Sequence, residues 1–557
     1  MPNRTLNRSF ISLFLIFISL TTLAQSDGEA ANTSTYAGTW LSIMPPLLAI
    51  AIALLFRQVI PALFIGLIFG VWVIGGLDWV AFFKAPLQTV EVFTVKALAD
   101  AGHASIIVFS LMIGGMVGII SRNGGMQGVV NLILNWANNV RRASIATVAM
   151  GIGIFFDDYA NTLVVGNTMR PVTDKMKISR EKLAYLVDST AAPIACLALI
   201  TTWIGFQVGL IDDALQAVGY TEQGGYAVFL QTIPFSFYPI MALALTLIIA
   251  SSGRDFGPMY TAEVAARKQS KAALATHTHP DDEIQPVENK PQRAINAILP
   301  ILTMIAVVIA GIYYTGMAGA GEQPSIQSVI FSNTVDSYKA LLWGTTAGVM
   351  VAAILSLAQG ILTLKQTAEA WFEGLKPMIL AMVILVLAWS MSSITTELKT
   401  SEYIATLIAD TIAVQWLPLL TFLLAALTAF ATGSSWGAMG ILIPLVVPVV
   451  WNMMAAQGMS DPEYFYILYT AIASILAGAV WGDHCSPISD TTILSSMASG
   501  CDHIEHVRTQ IPYAIYAGGF AIIMGIIPAS FGFSPWLCIL LGIASMIIGV
   551  MWKGKKA

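Results

Sequence analysis

Charged residues are scarce in this chain. Only 11% of its 557 residues are Asp, Glu, Lys or Arg, whereas 56% are hydrophobic and the mean hydropathy is +0.75. A soluble domain carries about 25% charged residues, so this chain has less than half of the charge that a solvated surface needs. The composition excludes a soluble enzyme, a nucleic-acid-binding protein and a disordered scaffold, and it indicates a polytopic membrane protein.

Three further absences narrow the function. The four cysteines lie in or beside apolar stretches and give no disulfide framework. Lys and Arg number 27 against 32 Asp and Glu, so the net charge of -5 offers no basic surface to DNA or RNA. The sequence contains no Walker sequence and no zinc-ligand spacing. We therefore expect neither an enzymatic activity, nor a bound cofactor, nor a nucleic-acid partner.

The N-terminus has the pattern of a targeting segment. Arg4 and Arg8 precede an apolar run over 10–20, and the small residue Ala24 follows it. A short basic region, about a dozen apolar residues and a small residue at the break are typical of a secretory signal peptide. We predict a signal peptide over residues 1–25, with a retained first transmembrane helix as the alternative. The mature N-terminus lies outside in both cases.

Lys and Arg orient the apolar segments, because they collect on the cytoplasmic side of a membrane protein. Segments of about 17–25 apolar residues are long enough to span the bilayer. These rules predict about 11 transmembrane helices in the bacterial inner membrane, a cytoplasmic C-terminus, and a flexible, solvated cytoplasmic loop over 252–293. The predicted spans are 40–56, 59–76, 102–121, 183–206, 227–251, 294–314, 340–361, 377–395, 463–500, 511–530 and 533–552.

Two apolar stretches do not fit a simple crossing. Basic residues flank residues 143–169 on both sides, so both ends are cytoplasmic and a single spanning helix is excluded. We predict a re-entrant hairpin of two half-helices here, with its tip near Asp157 and Asp158. A second hairpin is predicted over 416–453, which enters from the outside and is interrupted at 432–437.

Residues 102–206 and 377–506 share one order of parts in opposite orientation. Each has a span, a short amphipathic segment, a hairpin and a broken span, with the breaks predicted at 188–193 and 482–487. Inverted repeats with interrupted helices are the architecture of secondary transporters, whose binding site lies at the midplane of the bilayer. The predicted fold is therefore an all-α polytopic membrane protein with two re-entrant hairpins in an inverted-topology repeat. Around the repeats we predict scaffold helices over 40–101, connecting helices over 207–376 and C-terminal helices over 507–557.

Five aspartates lie inside these apolar segments. Carboxylates there are costly and face a cavity or a partner, yet hardly any intramembrane Lys or Arg is available to pair with them. An unpaired acid in a low dielectric holds a proton unless a cation replaces it, which is the chemistry of proton–cation competition. We predict Asp157, Asp158 and Asp483 as the proton and cation carriers. Helix N-capping is the alternative role for Asp188 and Asp490.

Oxygen-bearing residues surround these acids at the breaks. A small hard cation needs about six oxygen ligands, and we predict that Asp157, Asn161, Ser434 and Asp483 hold Na⁺. Some of the hydroxyls have the alternative of bonding back to their own helix. The predicted cation- or substrate-binding residues are Asn161, Thr162, Asp188, Ser189, Thr190, Gly433, Ser434, Ser435, His484, Ser486, Ser489, Asp490 and Thr491.

The histidines near the second break are ambiguous. His484 either tunes the proton affinity of the site or is a satisfied polar group. His503 and His506 have the spacing of a metal pair or a pH sensor. Their position at the cytoplasmic end of a span favours a structural role.

Three motifs carry a family resemblance. They are residues 156–161 (FDDYAN), 432–437 (TGSSWG) and 482–492 (GDHCSPISDTT). Through them the chain resembles the NhaC-type sodium/proton antiporter family over nearly its whole length after the signal segment. The resemblance implies paired hairpins, a homodimer and a transport domain that moves past a scaffold. It also implies sodium/proton exchange, although relatives exchange malate for lactate with ions and others carry amino acids.

The sequence as a whole predicts Na⁺/H⁺ antiport driven by ion gradients, with protons and Na⁺ competing for the aspartates. The alternative is a Na⁺- or H⁺-coupled carrier of a small organic acid or amino acid, in which serines, Trp436 and His484 bind the substrate. A carboxylate substrate would find no intramembrane Arg, but the N-termini of hairpin helices can bind it. The expected partners are the lipid bilayer, monovalent cations and protons, and a second copy of the chain.

Overall fold

The computed structural model is almost entirely α-helical over the residues that it describes, which confirms the predicted all-α fold class. Helices suit a lipid environment because every backbone N–H and C=O finds its partner within the same segment. The signal peptide predicted over 1–25 lies outside the described residues. The described residues are 35–56, 58–134, 137–220, 222–268, 286–287, 290–317, 329, 335–408 and 411–557.

The α-helices are numbered here in chain order. They are α1 (Met44–Phe56), α2 (Val59–Ile74), α3 (Trp79–Gln88), α4 (Val95–Ala99), α5 (Ala101–Arg122), α6 (Gly125–Leu134), α7 (Val140–Gly153), α8 (Asp158–Lys175), α9 (Arg180–Leu197), α10 (Thr202–Ala217), α11 (Gly225–Thr232), α12 (Phe237–Ser252), α13 (Gly257–Lys268), α14 (Ile295–Gly316), α15 (Ser337–Ala358), α16 (Leu364–Glu397), α17 (Thr400–Ile408), α18 (Leu417–Thr432), α19 (Ser435–Ala456), α20 (Phe465–Cys485), α21 (Asp490–Ser499), α22 (His503–Phe520), α23 (Ile527–Ser530) and α24 (Pro535–Lys553). Short 3₁₀ segments cover Trp40–Ile43, Ile233–Phe235, Val414–Trp416 and Pro462–Tyr464, and π-helical segments cover Thr89–Thr94 and Ala521–Ile526.

The number of apolar helices makes this a multi-pass membrane protein. Among the described residues 9 helices are long and apolar enough to cross a bilayer, or 11 when two bent pairs are each counted as one span. The total agrees with the prediction, but its members differ. Both arms of the second hairpin qualify, as Val414–Thr432 and Ser435–Ala456, whereas the apolar helices Trp40–Ala53 and Val59–Ile74 are shorter.

The first hairpin has its tip where the sequence predicts it. Helix α7 ends at Gly153 and α8 begins at Asp158, so residues 154–157 form the turn. Asp157 has extended backbone and its Oδ1 accepts the Ala160 N–H at 2.7 Å, which caps α8. The turn is therefore stabilised by one of the acids that the sequence marks as functional.

The second hairpin turns at Gly433 and Ser434. Gly433 has φ 68°, a left-handed conformation that glycine adopts without steric cost, and it ends α18. Ser434 caps α19 through a hydrogen bond from the Gly437 N–H at 3.3 Å. Helix α19 has 22 residues, so this arm is long enough to span the bilayer by itself.

The breaks in the two interrupted spans differ in how well they match the prediction. The break predicted at 188–193 is wrong, because α9 runs through these residues and ends at Leu197. Pro193 removes only one backbone donor from a helix whose other hydrogen bonds persist. The second break is confirmed in part: α20 continues to Cys485, and the chain is non-helical from Ser486 until Ser489 caps α21.

The loop predicted to be flexible over 252–293 begins with an ordered segment. Residues 254–255 pair with Lys555–Lys556 as a two-stranded sheet, β1 and β2, and α13 follows. Glu263 of α13 is fully buried and accepts the Ser179 N–H at 2.7 Å. Strand pairing and buried hydrogen bonds thus order a stretch that hydropathy alone predicts to be solvated. Residues 269–285 lie outside the described ranges.

The core lies around α19 and α20. In the 18-residue apolar stretch of each of these helices 83% of the residues are buried, compared with 39% for Ser337–Ala358 and 22% for Pro535–Lys553. One arm of the second hairpin and the helix before the second break therefore occupy the centre of the molecule, and α15 and α24 form part of its outer surface.

Candidate functional site

The tip of the first hairpin is fastened to the helices that follow it. The Thr202 N–H at the start of α10 donates to the Phe156 carbonyl at 2.9 Å. The Asn161 side-chain amide lies 2.6 Å from the Gly151 carbonyl and 3.1 Å from the Thr190 carbonyl, which joins both arms of the hairpin to α9. The amide oxygen of Asn161 is buried and has no hydrogen-bond partner within the described ranges, so it is available to a ligand.

The two acids at this tip have different environments. Asp157 caps α8 and is 5% exposed. Asp158 is 1% exposed, and neither of its carboxylate oxygens has a hydrogen-bond partner among the residues that the structure describes. A buried carboxylate without donors is costly, so Asp158 requires a proton or a cation.

The tip of the second hairpin packs on the second break. Ser486 donates its hydroxyl to the Phe430 carbonyl at 2.7 Å. Gly433 lies directly against the Ile488 carbonyl, where a Cβ atom would collide. Each hairpin tip thus contacts the break of the helix that follows it, and the two halves of the molecule repeat this arrangement.

Tyr159 connects the two halves. Its hydroxyl donates to Asp490 Oδ2 at 2.5 Å, and the Thr491 N–H donates to Asp490 Oδ1 at 2.8 Å. The Thr491 hydroxyl donates to Asp483 Oδ2 at 2.6 Å, whereas Asp483 Oδ1 is buried without a partner in the described part of the chain. Sequence reasoning missed Tyr159, although it lies inside the FDDYAN motif.

A third group of donors surrounds Asp188. Its carboxylate accepts hydrogen bonds from Thr492 at 3.1 Å, Ser495 at 3.0 Å and the side-chain amide of Gln510. These three neutral donors come from α21 and α22, and only tertiary structure brings them to α9. Asp188 lies in the interior of α9, so the N-cap alternative for it is wrong. For Asp490 it is wrong as well, because Ser489 is the cap of α21.

The remaining predicted residues are buried or partly buried near these acids, and several bond to backbone. The Thr162 hydroxyl bonds to the Asp158 carbonyl, and the Thr190 hydroxyl to the Leu186 carbonyl. The Ser489 hydroxyl accepts the Thr492 N–H and lies 3.0 Å from the Thr491 hydroxyl. Ser189 and Ser435 are buried, and Ser434 lines a small pocket with Tyr159, Trp436 and Asp490.

His484 is fully embedded in the core. Its Nδ1 lies 2.9 Å from the Tyr238 hydroxyl, and its Nε2 is buried without a partner among the described residues. Tyr238 was not a predicted site residue, and no local pattern in the sequence distinguishes it from other aromatic residues in apolar helices.

A cavity of about 360 Å³ leads to the first hairpin. Asp157 and Tyr159 line one part of it, and Glu373 and Lys376, which form an ion pair at 2.6 Å, line another. Helices α5, α8 and α16 form its walls. Because both members of the ion pair are about half exposed, the cavity joins Asp157 to the surface.

The sequence model of the Na⁺/H⁺ antiporter family matches residues 194–528, which is more than half of the chain. The chain belongs to the Na⁺/H⁺ antiporter family. An uncharacterised Haemophilus influenzae protein is 31% identical over 475 residues, covering 85% of this chain and 88% of its own. The antiporter is thus a multi-pass secondary transporter and not an enzyme.

Two further similarities are more limited. The malate-2H⁺/Na⁺-lactate antiporter of Bacillus subtilis is 32% identical over 99 residues, which is 18% of this chain and 19% of its own. The solved structure of the Alcanivorax borkumensis YdaH transporter has a TM-score of 0.51 and 14% identity. It covers 81% of this chain and 90% of its own, and it supports the fold alone.

Proposed function

We propose that the protein exchanges Na⁺ for protons across the bacterial inner membrane. The observation that carries this proposal is Asp158, whose two carboxylate oxygens are buried and without partners among the described residues. Asp483 Oδ1 and Asn161 Oδ1 are buried and unpartnered in the same way. A proton or a small cation can satisfy these oxygens, and the two would compete for them.

Asp157, Asp158 and Asp483 are the proposed carriers. Asp157, Asn161, Ser434 and Asp483 remain the proposed Na⁺ ligands. Tyr159 supports this assignment, because its bond to Asp490 places the first hairpin against the second break. Motion of the hairpins past the surrounding helices would then expose the carriers to either side in turn.

The distribution of Lys and Arg supports an orientation with the C-terminus in the cytoplasm. In this orientation the ends of α5 and α8 at Arg122 and Lys175 are cytoplasmic, and so is the Lys376 region. The cavity beside Asp157 would then give cytoplasmic ions access to the site. We also propose a homodimer, which the mass of the detergent-purified protein would test.

A vesicle assay tests the proposed exchange. Purified protein is reconstituted into liposomes that carry a pH gradient and a pH-sensitive dye, and Na⁺, Li⁺ or K⁺ is added in turn. We expect Na⁺ to drive proton movement. A gradient that no cation disturbs would contradict Na⁺/H⁺ exchange.

Variants test the site in the same vesicles. Asp158→Asn, Asp157→Asn and Asp483→Asn should each abolish exchange, because an amide cannot alternate between a proton and a cation. Asp461→Asn is the control, since Asp461 is exposed and its side chain makes no capping hydrogen bond to the helix that follows it. Full activity in all three variants, with folded protein verified by gel filtration, would refute the carrier assignment.

A second candidate is a cation-coupled carrier of a small organic acid or amino acid. The cavity of about 360 Å³ favours it, because its lining combines apolar residues with Lys376, which can attract a carboxylate. The name of the Bacillus subtilis relative includes malate and lactate. Uptake of labelled malate, lactate and amino acids into the same vesicles distinguishes this candidate from simple ion exchange.

A further inference from the structure

Two imidazoles share one hydroxyl at an end of α22. The Ser496 Oγ atom lies 3.0 Å from His503 Nδ1 and 2.8 Å from His506 Nδ1. Ser496 and His506 are buried, whereas His503 is partly exposed. None of the three belongs to the proposed carrier set, and the spacing of the two histidines alone gives no reason for a common serine.

The outer nitrogen of each ring carries a hydrogen. His503 Nε2 lies 2.6 Å from the Pro487 carbonyl, which can only accept. His506 Nε2 lies 3.0 Å from Gln510 Oε1. The orientation of this amide is determined, because Gln510 Nε2 faces two acceptors, the Asp188 carboxylate and the His484 carbonyl. Both rings are therefore Nε2–H donors.

The two Nδ1 atoms, which both face Ser496, have too few hydrogens between them when both rings are neutral. In a neutral ring with a hydrogen on Nε2, Nδ1 can only accept. Both Nδ1 atoms face the Ser496 hydroxyl, which has a single hydrogen, and the Thr492 carbonyl at 2.7 Å competes for it. Two neutral rings would thus leave at least one buried contact between lone pairs. One added proton satisfies both rings: the charged ring donates to Oγ, and the hydroxyl donates to the other ring. The Thr492 carbonyl then loses the hydroxyl and keeps the backbone N–H of Ser496 within α21.

We propose that His503, Ser496 and His506 form a proton-binding site that holds one proton shared by the two imidazoles. In the transfer between them, the Nδ1 proton of His503 moves to Ser496 Oγ while the hydroxyl proton moves to His506 Nδ1. The number of protons is unchanged, and the positive charge passes from the partly exposed ring to the buried one. The reverse transfer releases it.

The charge on this site is positioned to balance Asp188. Gln510 connects the two, since its amide oxygen accepts from His506 and its nitrogen donates to Asp188. A positive His506 polarises the amide and strengthens its donation to the carboxylate. The pair would thereby help to keep Asp188 ionised beside the transport site, and this role, unlike proton binding itself, rests on the proposed function.

Other charged groups approach α22 from the helices packed against it, which are α9, α12, α13, α20, α21 and α24. Helix α12 contributes the phenol of Tyr238 and α24 the thiol of Cys538. The ion pair of Glu505 and Arg508 lies on the exposed side of α22 itself. The acids, bases and histidine on the packed helices are Arg180, Glu181, Lys182 and Asp188 of α9, Glu263, Arg267 and Lys268 of α13, Asp483 and His484 of α20, Asp490 of α21, and Lys553 of α24.

Histidine ring nitrogens report the shared proton directly. The full chain is labelled with ¹⁵N-histidine in lipid nanodiscs, and the ring shifts are followed between about pH 5 and pH 8, where imidazoles titrate. His503→Gln and His506→Gln assign the signals. We expect both rings to be partly protonated over one interval, with fractions that sum to one proton.

Ser496→Ala removes the hydroxyl that joins the rings and should confine the proton to His503. Ser499→Ala is the matched control on the same helix, because the Ser499 hydroxyl has no hydrogen-bond partner in the described part of the chain. Asp188→Asn should lower the protonated fraction of the pair at a given pH. Two rings that titrate independently in the wild type, or that stay neutral across the interval, would overturn the proposal even if Na⁺/H⁺ exchange is observed. A wild type that shares the proton but exchanges no ions would overturn only the proposed function.

Discussion

The buried aspartates differ chiefly in the number of donors that reach each carboxylate. Three neutral side chains donate to Asp188, while Asp158 accepts no hydrogen bond of normal geometry from the described residues, although the Trp203 indole lies near it. Donors stabilise an ionised carboxylate, and a buried acid without them needs a proton or a bound cation. We therefore expect the proposed exchange to depend chiefly on Asp158 and the free oxygen of Asp483, whereas Asp188 is better suited to a fixed charge.

Tyr159→Phe tests the contact between the two halves. The variant removes the hydroxyl that donates to Asp490 at 2.5 Å. A hydrogen bond to a charged group is worth about 1.5–3 kcal/mol, so the concentration of Na⁺ for half-maximal exchange should rise about tenfold or more. The measurement is the Na⁺ dependence of dye recovery in vesicles.

The control for this variant is Tyr516→Phe. It removes a hydroxyl that bonds at 3.2 Å to the Met546 carbonyl, between α22 and α24 and away from the aspartates. An unchanged Na⁺ dependence in Tyr159→Phe would show that the tyrosine bond does not support the site.

At the scale of elements, the fold depends on how closely each hairpin tip approaches a break. Gly433 combines a positive φ with contact against the Ile488 carbonyl, so no other residue fits there without displacement. In the first half the corresponding contact is the backbone hydrogen bond from Thr202 to Phe156, and the Asn161 amide adds bonds to carbonyls of α7 and α9. Both tips are thus joined to the following helices through backbone atoms, and the first tip has a side-chain amide in addition.

Gly433→Ala should destabilise the protein and slow exchange. A left-handed residue with a Cβ costs about 1–2 kcal/mol, and the collision with the second break adds to this cost. Gly458→Ala is a matched control, because Gly458 has φ 71° and open space around the position of a Cβ. The Tm of both variants in detergent measures the difference, and equal losses would contradict the close packing of tip and break.

Glu263 makes the docking of α13 depend on pH. Burial raises the pKa of this carboxyl, although Lys182 at 3.8 Å opposes the shift. A raised pKa in the folded state means that the folded chain binds the proton more tightly, so the contribution of Glu263 to stability is present at low pH and lost as pH rises through that pKa.

Glu263→Gln should therefore reduce the fall of Tm between about pH 5 and pH 8 relative to the wild type. Thermal unfolding in detergent at the two pH values measures it. Glu369→Gln is the control, since that side chain is 60% exposed. A variant with the same pH dependence as the wild type would show that Glu263 does not titrate differently on folding.

For the whole molecule, the cavity between α5, α8 and α16 connects the first hairpin to the surface. Leu163→Trp would fill this space, because Leu163 lines it one turn beyond Tyr159. We expect exchange to fall about tenfold with little change in Tm, since the added ring occupies open volume instead of packed core. Leu420→Trp, at a position 45% exposed on α18, is the control.

Normal exchange by Leu163→Trp would show that ions reach Asp157 by another route. If Leu163→Trp and Leu420→Trp slow exchange equally, the effect belongs to the added bulk and not to the cavity.

Much of the architecture follows from local pattern. Basic residues on both flanks of 143–169 predict the first hairpin, and its tip lies at Asp157 as expected. Hydropathy predicts the membrane spans well, because lipid demands long apolar helices. The break expected at 188–193 fails because a proline and small polar residues are compatible with a continuing helix when tertiary contacts stabilise it. The prediction of a flexible loop fails at α13 for the converse reason, because charged residues of this stretch pair with Lys182 in the interior.

Sequence by itself determined that this chain is a multi-pass helical transporter and that Asp157 and Asp158 stand at the tip of the first hairpin, because charge and apolar length act locally along the chain. Tertiary structure alone decided which acids are left without donors. Tyr159, Gln510 and Ser495 reach Asp490 and Asp188 from more than 300 residues away in the chain. Packing between the neighbouring helices α21 and α22 placed two histidines on one serine, because a hydrogen bond requires atoms within about 3 Å, and no local spacing specifies that distance between separate helices.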